Sequence, residues 1–228
     1  MSKKLLTVVI EELIANSNGD FPDATPSDDA DQGLKNNALS ASLRYPRSGA
    51  PQITSAKQYD LANGKPATLL DPQHPDNFFD PLLFREEVID RTVLNLKLTD
   101  RDAASGFEKF LLGVFSAVLG AGFAAVTSGF SGILGAVTGF GVDSIKSQIS
   151  GAGDATVTVI GQTDPLELIM DDLAGAAKQI TLRLVVPADV VKQRYVQDPD
   201  THQQVLEDVT ILKKGDDNGH VTLQIAAV

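Results

Sequence analysis

The chain has no cysteine, no tryptophan and only 3 tyrosines. The absence of cysteine excludes disulfides and thiolate chemistry, and it leaves the redox compartment undetermined. The scarcity of Trp and Tyr removes the aromatic belt that is typical of a permanent membrane protein. Basic residues are also few, with 19 Lys and Arg against 30 Asp and Glu, so the net charge is −11. A nucleic-acid partner is therefore not expected, and anionic lipid is repelled unless cations neutralise an acidic cluster.

The N-terminus lacks the features of a secretion signal. Two lysines precede a short apolar run, but Glu11 and Glu12 follow at once and no small-residue cleavage site appears. The segment is more typical of a first β-strand than of a signal peptide. The localisation therefore stays open between the cytoplasm and export by a non-classical route, and either is compatible with association at a membrane.

Short β-branched and alternating segments predict seven or eight strands. The 46–81 stretch, rich in Pro, Gly and Asn, is expected to hold loops and one short strand, with a further strand after it. A short helix is predicted over 166–178, and the turn KKGDDNG is predicted to join the last two strands. The clearest predicted strands are 4–14, 38–45, 92–98, 155–160, 180–186, 205–212 and 220–228.

Two acidic clusters directly follow predicted strands. The first lies in the 16–37 loop after the opening strand, and the second begins at Asp100 after the 92–98 strand. Ca²⁺ prefers six to eight oxygen ligands, which carboxylates on adjacent loops can supply. An i, i+2 pair such as Asp100 and Asp102 can surround one such loop, and a third carboxylate further on can close it.

The order of these features resembles that of C2 domains. The resemblance rests on the opening strand with its acidic loop, the DPQHPDNFF stretch, LNLKLTDRD with a later carboxylate, and the closing GHVTLQIAAV. It covers roughly residues 4–108 and 154–228. It implies an antiparallel β-sandwich whose loops bind Ca²⁺ and dock on phospholipid headgroups. The calcium ligands that the resemblance implies are Asp20, Asp23, Asp28, Asp29, Asp100, Asp102 and Glu108.

An uncharged segment spans residues 110–142, between Lys109 and Asp143. Its large residues recur every three or four positions, as on one face of a helix, and small residues occupy the opposite positions. Small residues every four positions allow helices to approach closely, as they do in lipid. The large residues, which we expect to contact lipid or another protein chain, are Leu112, Phe115, Leu119, Phe123, Val126, Phe130, Ile133, Val137 and Phe140.

The length of this segment favours a bent helix. At about 1.5 Å per residue a straight helix would extend about 50 Å, beyond the roughly 30 Å hydrocarbon core of a bilayer. A bend at 127–129 would give two arms of about 22 Å, enough to enter one leaflet. The unbroken phase of the large residues instead favours a single or slightly kinked helix. We predict the hairpin, inserted at 110–153 into a C2-like β-sandwich formed by residues 1–109 and 154–228, α+β overall.

These features lead to two functional hypotheses. The first is a membrane-interacting protein of the pore-forming or membrane-remodelling type, calcium-assisted, whose hairpin inserts in lipid or oligomerises. The Gly/Ala/Phe composition is similar to that of fusion peptides and of the inserting hairpins of helical pore-forming toxins. The alternative is a structural or assembly protein that uses the hairpin as a homo-oligomer or partner interface. A purely intramolecular core for the hairpin stays open as well.

Catalytic motifs are not evident. The three histidines lie far apart in the sequence, and there is no G-x-S-x-G elbow, phosphate-binding loop or zinc-ligand spacing. We therefore expect a protein that is not an enzyme and that has no small-molecule substrate.

Overall fold

A computed structural model describes residues 3–21, 37–44, 52–69, 81–101, 124–126, 157–197 and 203–228. Within these ranges the chain forms fourteen strands and no helix. The strands are β1 (Lys3–Ala15), β2 (Asn37–Arg44), β3 (Gln52–Asp60), β4 (Lys65–Pro66), β5 (Thr68–Leu69), β6 (Leu82–Ile89), β7 (Arg91–Arg101), β8 (Ala124–Val126), β9 (Val157–Gln162), β10 (Leu166–Ile169), β11 (Lys178–Val185), β12 (Val190–Gln197), β13 (Gln204–Leu212) and β14 (Asp217–Ala227).

Twelve of these strands form one sheet with the order β4-β1-β14-β11-β9-β7-β2-β3-β5. β6 also pairs with β1, β10 with β7, and β8 with β3. β11 and β9 meet at a single residue pair, Val185 with Gln162. The sheet thus divides into a half built around β1, β14 and β11 and a half built around β7, β2 and β3. This mostly β architecture is consistent with a β-sandwich.

The two halves share one hydrophobic core. Alternate residues of β1 and β14 are buried, as the two-residue period of a strand requires. They belong to the same cluster as buried residues of β2 and β7 from the other half. Each fully buried Leu or Val contributes about 2 kcal/mol from its apolar area. The main contributors are Leu6, Val8, Ile10, Leu39, Ala41, Leu43, Leu94, Leu96, Leu98, Val221, Leu223 and Ile225.

We use the name sandwich for this sheet with its core, and the strand register defines two ends of it. Ala38 of β2 pairs with Thr99 of β7, whereas Arg44 pairs with Val93. We call the end where β7 finishes and β2 begins the Asp100 end, and the opposite one the Arg44 end. β1 also finishes at the Asp100 end, where Ala15 pairs with Gly219 near the start of β14.

Most of the predicted strands are confirmed within a few residues, but the helix over 166–178 is wrong. Leu166 to Ile169 form β10, which pairs with β7, and turns follow before β11. Leu168 and Met170 are both buried, which is the two-residue period of a strand. The 46–81 stretch holds more strand than expected, since β3 alone has 9 residues. β12 was not predicted, and β13 pairs with β12 in a separate sheet rather than with β14.

The helical hairpin predicted over 110–153 is described only at residues 124–126. These three residues form β8, which pairs in parallel with Gln52, Ile53 and Thr54 of β3, so a helix is wrong at this position. Parallel pairing with a sheet edge satisfies the backbone groups that a helix would satisfy internally. The remainder of the predicted hairpin lies outside the described residues.

Candidate functional site

One described residue from each acidic stretch lies at the Asp100 end of the sandwich. Asp20 lies in the loop that follows β1, and Asp100 lies near the end of β7. Lys192 of β12 reaches between them: its Nζ lies 2.7 Å from Oδ1 of Asp20 and 2.9 Å from Oδ2 of Asp100. We call these three residues the carboxylate–lysine cluster. Distances this short are typical of charge-assisted hydrogen bonds.

Burial differs sharply within the carboxylate–lysine cluster. The side chain of Asp100 is 1% exposed, that of Lys192 is 11% exposed and that of Asp20 is 36% exposed. A carboxylate removed from water needs a charged partner and well-placed hydrogen-bond donors. The pair between Lys192 and Asp100 is thus the inner contact, and Asp20 joins the ammonium to the surface loop.

The sequence Ser17-Asn18-Gly19-Asp20 explains how the loop reaches Asp100. Gly19 has a φ of 96°, and a Cβ at this position would lie 2.9 Å from the Cβ of Asp100. Glycine is therefore required both by the backbone conformation and by the close approach. The Asn18 side chain accepts from the Asp20 N–H at 3.1 Å and donates to Oδ2 of Asp20 at 2.9 Å. This local turn orients the Asp20 carboxylate.

Asn37, the first residue of β2, connects the same loop to Asp100. It is buried, and its Nδ2 donates to the carbonyl oxygen of Asn18 at 2.7 Å. The same nitrogen lies 3.4 Å from Oδ1 of Asp100. Asp100 therefore receives donors on both carboxylate oxygens, from Lys192 on one and from Asn37 on the other.

Asn218 fastens the loop on its other side. It is fully buried and accepts from the Ser17 N–H at 2.8 Å. Its Nδ2 donates to the carbonyl oxygens of Ser17 at 3.0 Å and Ile160 at 2.9 Å. One side chain therefore joins the loop after β1, strand β9 and strand β14.

The β12–β13 hairpin is a separate two-stranded sheet that contacts the sandwich through this end. Lys192 and Arg194 are two residues apart in β12 and thus lie on the same face. The Arg194 guanidinium lies 5.4 Å from the centroid of the Phe21 ring, within range for a cation–π contact. Both basic residues of this face therefore contact the loop that follows β1.

Lys192 was not predicted as a site residue. The segment VVKQRYVQ places two basic residues at i and i+2 of a β-branched run, and this was the available signal. Its carboxylate partners lie far away in the sequence, so the spacing alone does not identify them.

Two of the seven predicted calcium ligands, Asp20 and Asp100, are brought together. The other five, Asp23, Asp28, Asp29, Asp102 and Glu108, lie outside the described residues. In the described ranges no group of three His, Cys, Asp or Glu residues could hold a metal ion. Calcium binding therefore stays a prediction.

Of the nine residues predicted to form a lipid or oligomer interface, only Val126 is described. It belongs to β8, and its backbone pairs with Thr54. The other eight, Leu112, Phe115, Leu119, Phe123, Phe130, Ile133, Val137 and Phe140, lie outside the described residues. In the part of the chain that the structure describes, no helix is long and apolar enough to span a bilayer.

Two titratable groups away from the carboxylate–lysine cluster have shifted pKa values. Burial raises the pKa of Tyr59 in β3 well above its usual range. The side-chain hydrogen bond from Lys4, together with the charge of Lys4, lowers the pKa of Asp171. Burial and Lys4, and no residue of the carboxylate–lysine cluster, cause these two shifts.

The chain matches no model of a known protein family and no curated protein sequence.

Proposed function

We propose that this protein binds membranes without catalysing a reaction, and that its sandwich presents the apolar 110–142 segment to lipid. The supporting observation is the way in which this segment is connected. Residues 102–156 join the end of β7 to the start of β9, and Arg101 pairs directly with Val157. The connection that contains the apolar segment therefore leaves and re-enters the sandwich at neighbouring backbone positions.

The charge pattern supports a lipid-facing role for this connection. Residues 110–142 are uncharged in a chain whose net charge is −11. Soluble monomers rarely leave large apolar patches exposed, so the segment needs lipid or protein as cover. Because the rest of the chain is acidic, zwitterionic lipid is favoured over anionic lipid in the absence of bound cations.

The contact between β8 and β3 suggests how the segment is held before it meets lipid. Gln52, the first residue of β3, pairs with Arg44 of β2, so β8 lies at the Arg44 end. By the rise of about 3.3 Å per strand residue, it lies roughly 25 Å from the level of Arg101 along the sheet. Within the described residues three register pairs connect β8 to β3, and each hydrogen bond between the two strands contributes about 1 kcal/mol. We infer that β8 leaves this edge when the segment enters lipid to form a pore or remodel the bilayer.

Co-sedimentation of the intact protein with phosphatidylcholine vesicles tests the proposal. We expect the protein to sediment with the vesicles, and a Phe123→Asp/Phe130→Asp variant to stay in the supernatant. The matched control is Ile89→Asp/Ile169→Asp, which places the same charges on exposed residues near the Arg44 end and should sediment normally. Parallel samples with calcium and with EDTA test whether Ca²⁺ assists binding. A wild-type protein that stays in the supernatant in both samples contradicts the proposal.

The second candidate function is assembly, and the parallel pairing of β8 with β3 favours it. An edge strand can accept a strand from another copy as readily as one from its own chain. In that case the same register would join neighbouring subunits, and the apolar segment would be covered by protein.

A cysteine pair distinguishes the two functions. Ile53 and Ala125 are register partners, and the chain contains no other cysteine, so Ile53→Cys/Ala125→Cys gives an unambiguous cross-link. Membrane binding predicts a disulfide within one chain that prevents vesicle binding until it is reduced. Assembly predicts disulfide-linked dimers and larger species on a non-reducing gel. Each single cysteine variant is the control for random oxidation.

A further inference from the structure

The position of Lys192 is that of a cation held between two carboxylates. Its Nζ lies within 2.9 Å of an oxygen of both Asp20 and Asp100. A calcium ion shared by the same two oxygens would lie about 2.3–2.6 Å from each of them. The ammonium and the ion would therefore compete for the same space. We propose that the Lys192 ammonium is the built-in cation of this cluster, so that Asp20 and Asp100 do not hold a divalent ion.

The burial of Asp100 explains why a side chain of the protein, rather than a bound ion, supplies the positive charge. Its side chain is 1% exposed, and the main chain at Gly19 covers it closely. Water cannot hydrate this carboxylate, and a buried charge without a partner is strongly destabilising. A covalently attached ammonium supplies the charge at any external concentration of divalent ions.

The same contact has a structural consequence for the β12–β13 hairpin. A two-stranded sheet is marginally stable by itself in water, and among the described strands β12 and β13 pair with each other and with no third strand. Lys192 and Arg194 join this hairpin to the loop after β1 and to β7. The internal cation thus both neutralises the Asp100 end and fastens the hairpin to it. This inference does not depend on the proposed membrane function.

The test compares the melting temperature of the full chain in calcium and in EDTA. We expect the wild-type value to be the same in both. Lys192→Met should lower it by about 10 °C, because the buried Asp100 carboxylate loses the ammonium that lies 2.9 Å from it. Adding Asp100→Asn to Lys192→Met should restore most of the lost melting temperature, since the buried negative charge is removed. Lys3→Met is the matched control, because its ion pair with Glu87 is largely exposed; we expect a change within about 2 °C.

Hydrogen exchange provides a readout that is specific to the hairpin. In Lys192→Met the amides of β12 and β13 should exchange about tenfold faster, while those of β1 and β14 change less. Asp20→Asn is a milder variant that keeps the inner pair, and the same amides should be affected to a smaller degree. The inference is overturned if calcium raises the wild-type melting temperature and Asp100→Asn abolishes that rise. It is equally overturned if Lys192→Met lowers the melting temperature by no more than Lys3→Met does.

Discussion

Substitution of Asn218 tests how the Asp100 end is held together. This side chain is fully buried and makes three hydrogen bonds to backbone groups of Ser17 and Ile160. In Asn218→Asp the shape is unchanged, but the carboxylate cannot donate to the two carbonyl oxygens. In Asn218→Ala all three hydrogen bonds are lost and a small cavity is created.

The expected magnitudes follow from these contacts. A lost hydrogen bond that leaves a buried partner unsatisfied costs about 1–3 kcal/mol. We expect Asn218→Ala to lower the free energy of unfolding by about 3 kcal/mol. Asn218→Asp should lower it by about 4 kcal/mol at neutral pH, because it also places a negative charge against two carbonyl oxygens.

Equilibrium denaturation in urea measures both variants. The matched control is Asn16→Ala, which removes one exposed hydrogen bond from Nδ2 of Asn16 to the carbonyl oxygen of Asp217 and should cost less than about 1 kcal/mol. The reasoning is refuted if either Asn218 variant costs no more than Asn16→Ala.

Three further predictions concern single residues elsewhere in the sandwich. Gly219→Ala should lower the free energy of unfolding by more than about 3 kcal/mol, because φ is 103° and a Cβ would lie 2.0 Å from a β1 carbonyl oxygen. The control Gly215→Ala, at a φ of 91° with open space around it, should lower it by about 1 kcal/mol. Equal decreases in the two variants, measured by denaturant unfolding, would contradict this prediction. Thr54→Val should stabilise the protein by about 1 kcal/mol, since the buried hydroxyl has no hydrogen-bond partner in the described ranges; a lower melting temperature would show that the hydroxyl is satisfied. The Lys4 hydrogen bond lowers the pKa of Asp171. The ion pair between them therefore stabilises the fold above about pH 4, and this stabilisation is lost as the pH falls through the lowered pKa. When the free energy of unfolding is measured against pH, Asp171→Asn should lack this loss at acid pH.

Local patterns predicted the strands that pack on the core. β1, β7 and β14 alternate apolar and polar residues or carry β-branched runs, and each was predicted close to its observed range. The helix predicted over 166–178 was wrong because the few apolar residues of this segment fit the 3.6-residue period of a helix as well as the two-residue period of a strand. Gly175 has a φ of 98°, which interrupts a helix, and pairing with β7 decided the outcome.

Contacts between residues that are remote in the sequence explain why β12 and the position of Lys192 were not predicted. β12 carries Lys192, Gln193 and Arg194 in its centre, a polar run that lacks the pattern of a core strand. Its position depends on carboxylates from β7 and the loop after β1, which are remote in the sequence. The resemblance to C2 domains placed Asp20 and Asp100 in one predicted ligand set, and the structure brings these two residues together. The ammonium between them required the three-dimensional structure.

The central claim is that the apolar segment enters lipid, and a fluorescent probe within it tests this most directly. Because the chain has no cysteine, Phe123→Cys and Phe130→Cys can each carry one environment-sensitive label. Glu87→Cys, at an exposed site near the Arg44 end, is the control. We predict that phosphatidylcholine vesicles shift the emission of both segment labels to shorter wavelength and leave the Glu87 label unchanged. Unchanged emission from both segment labels would contradict the account.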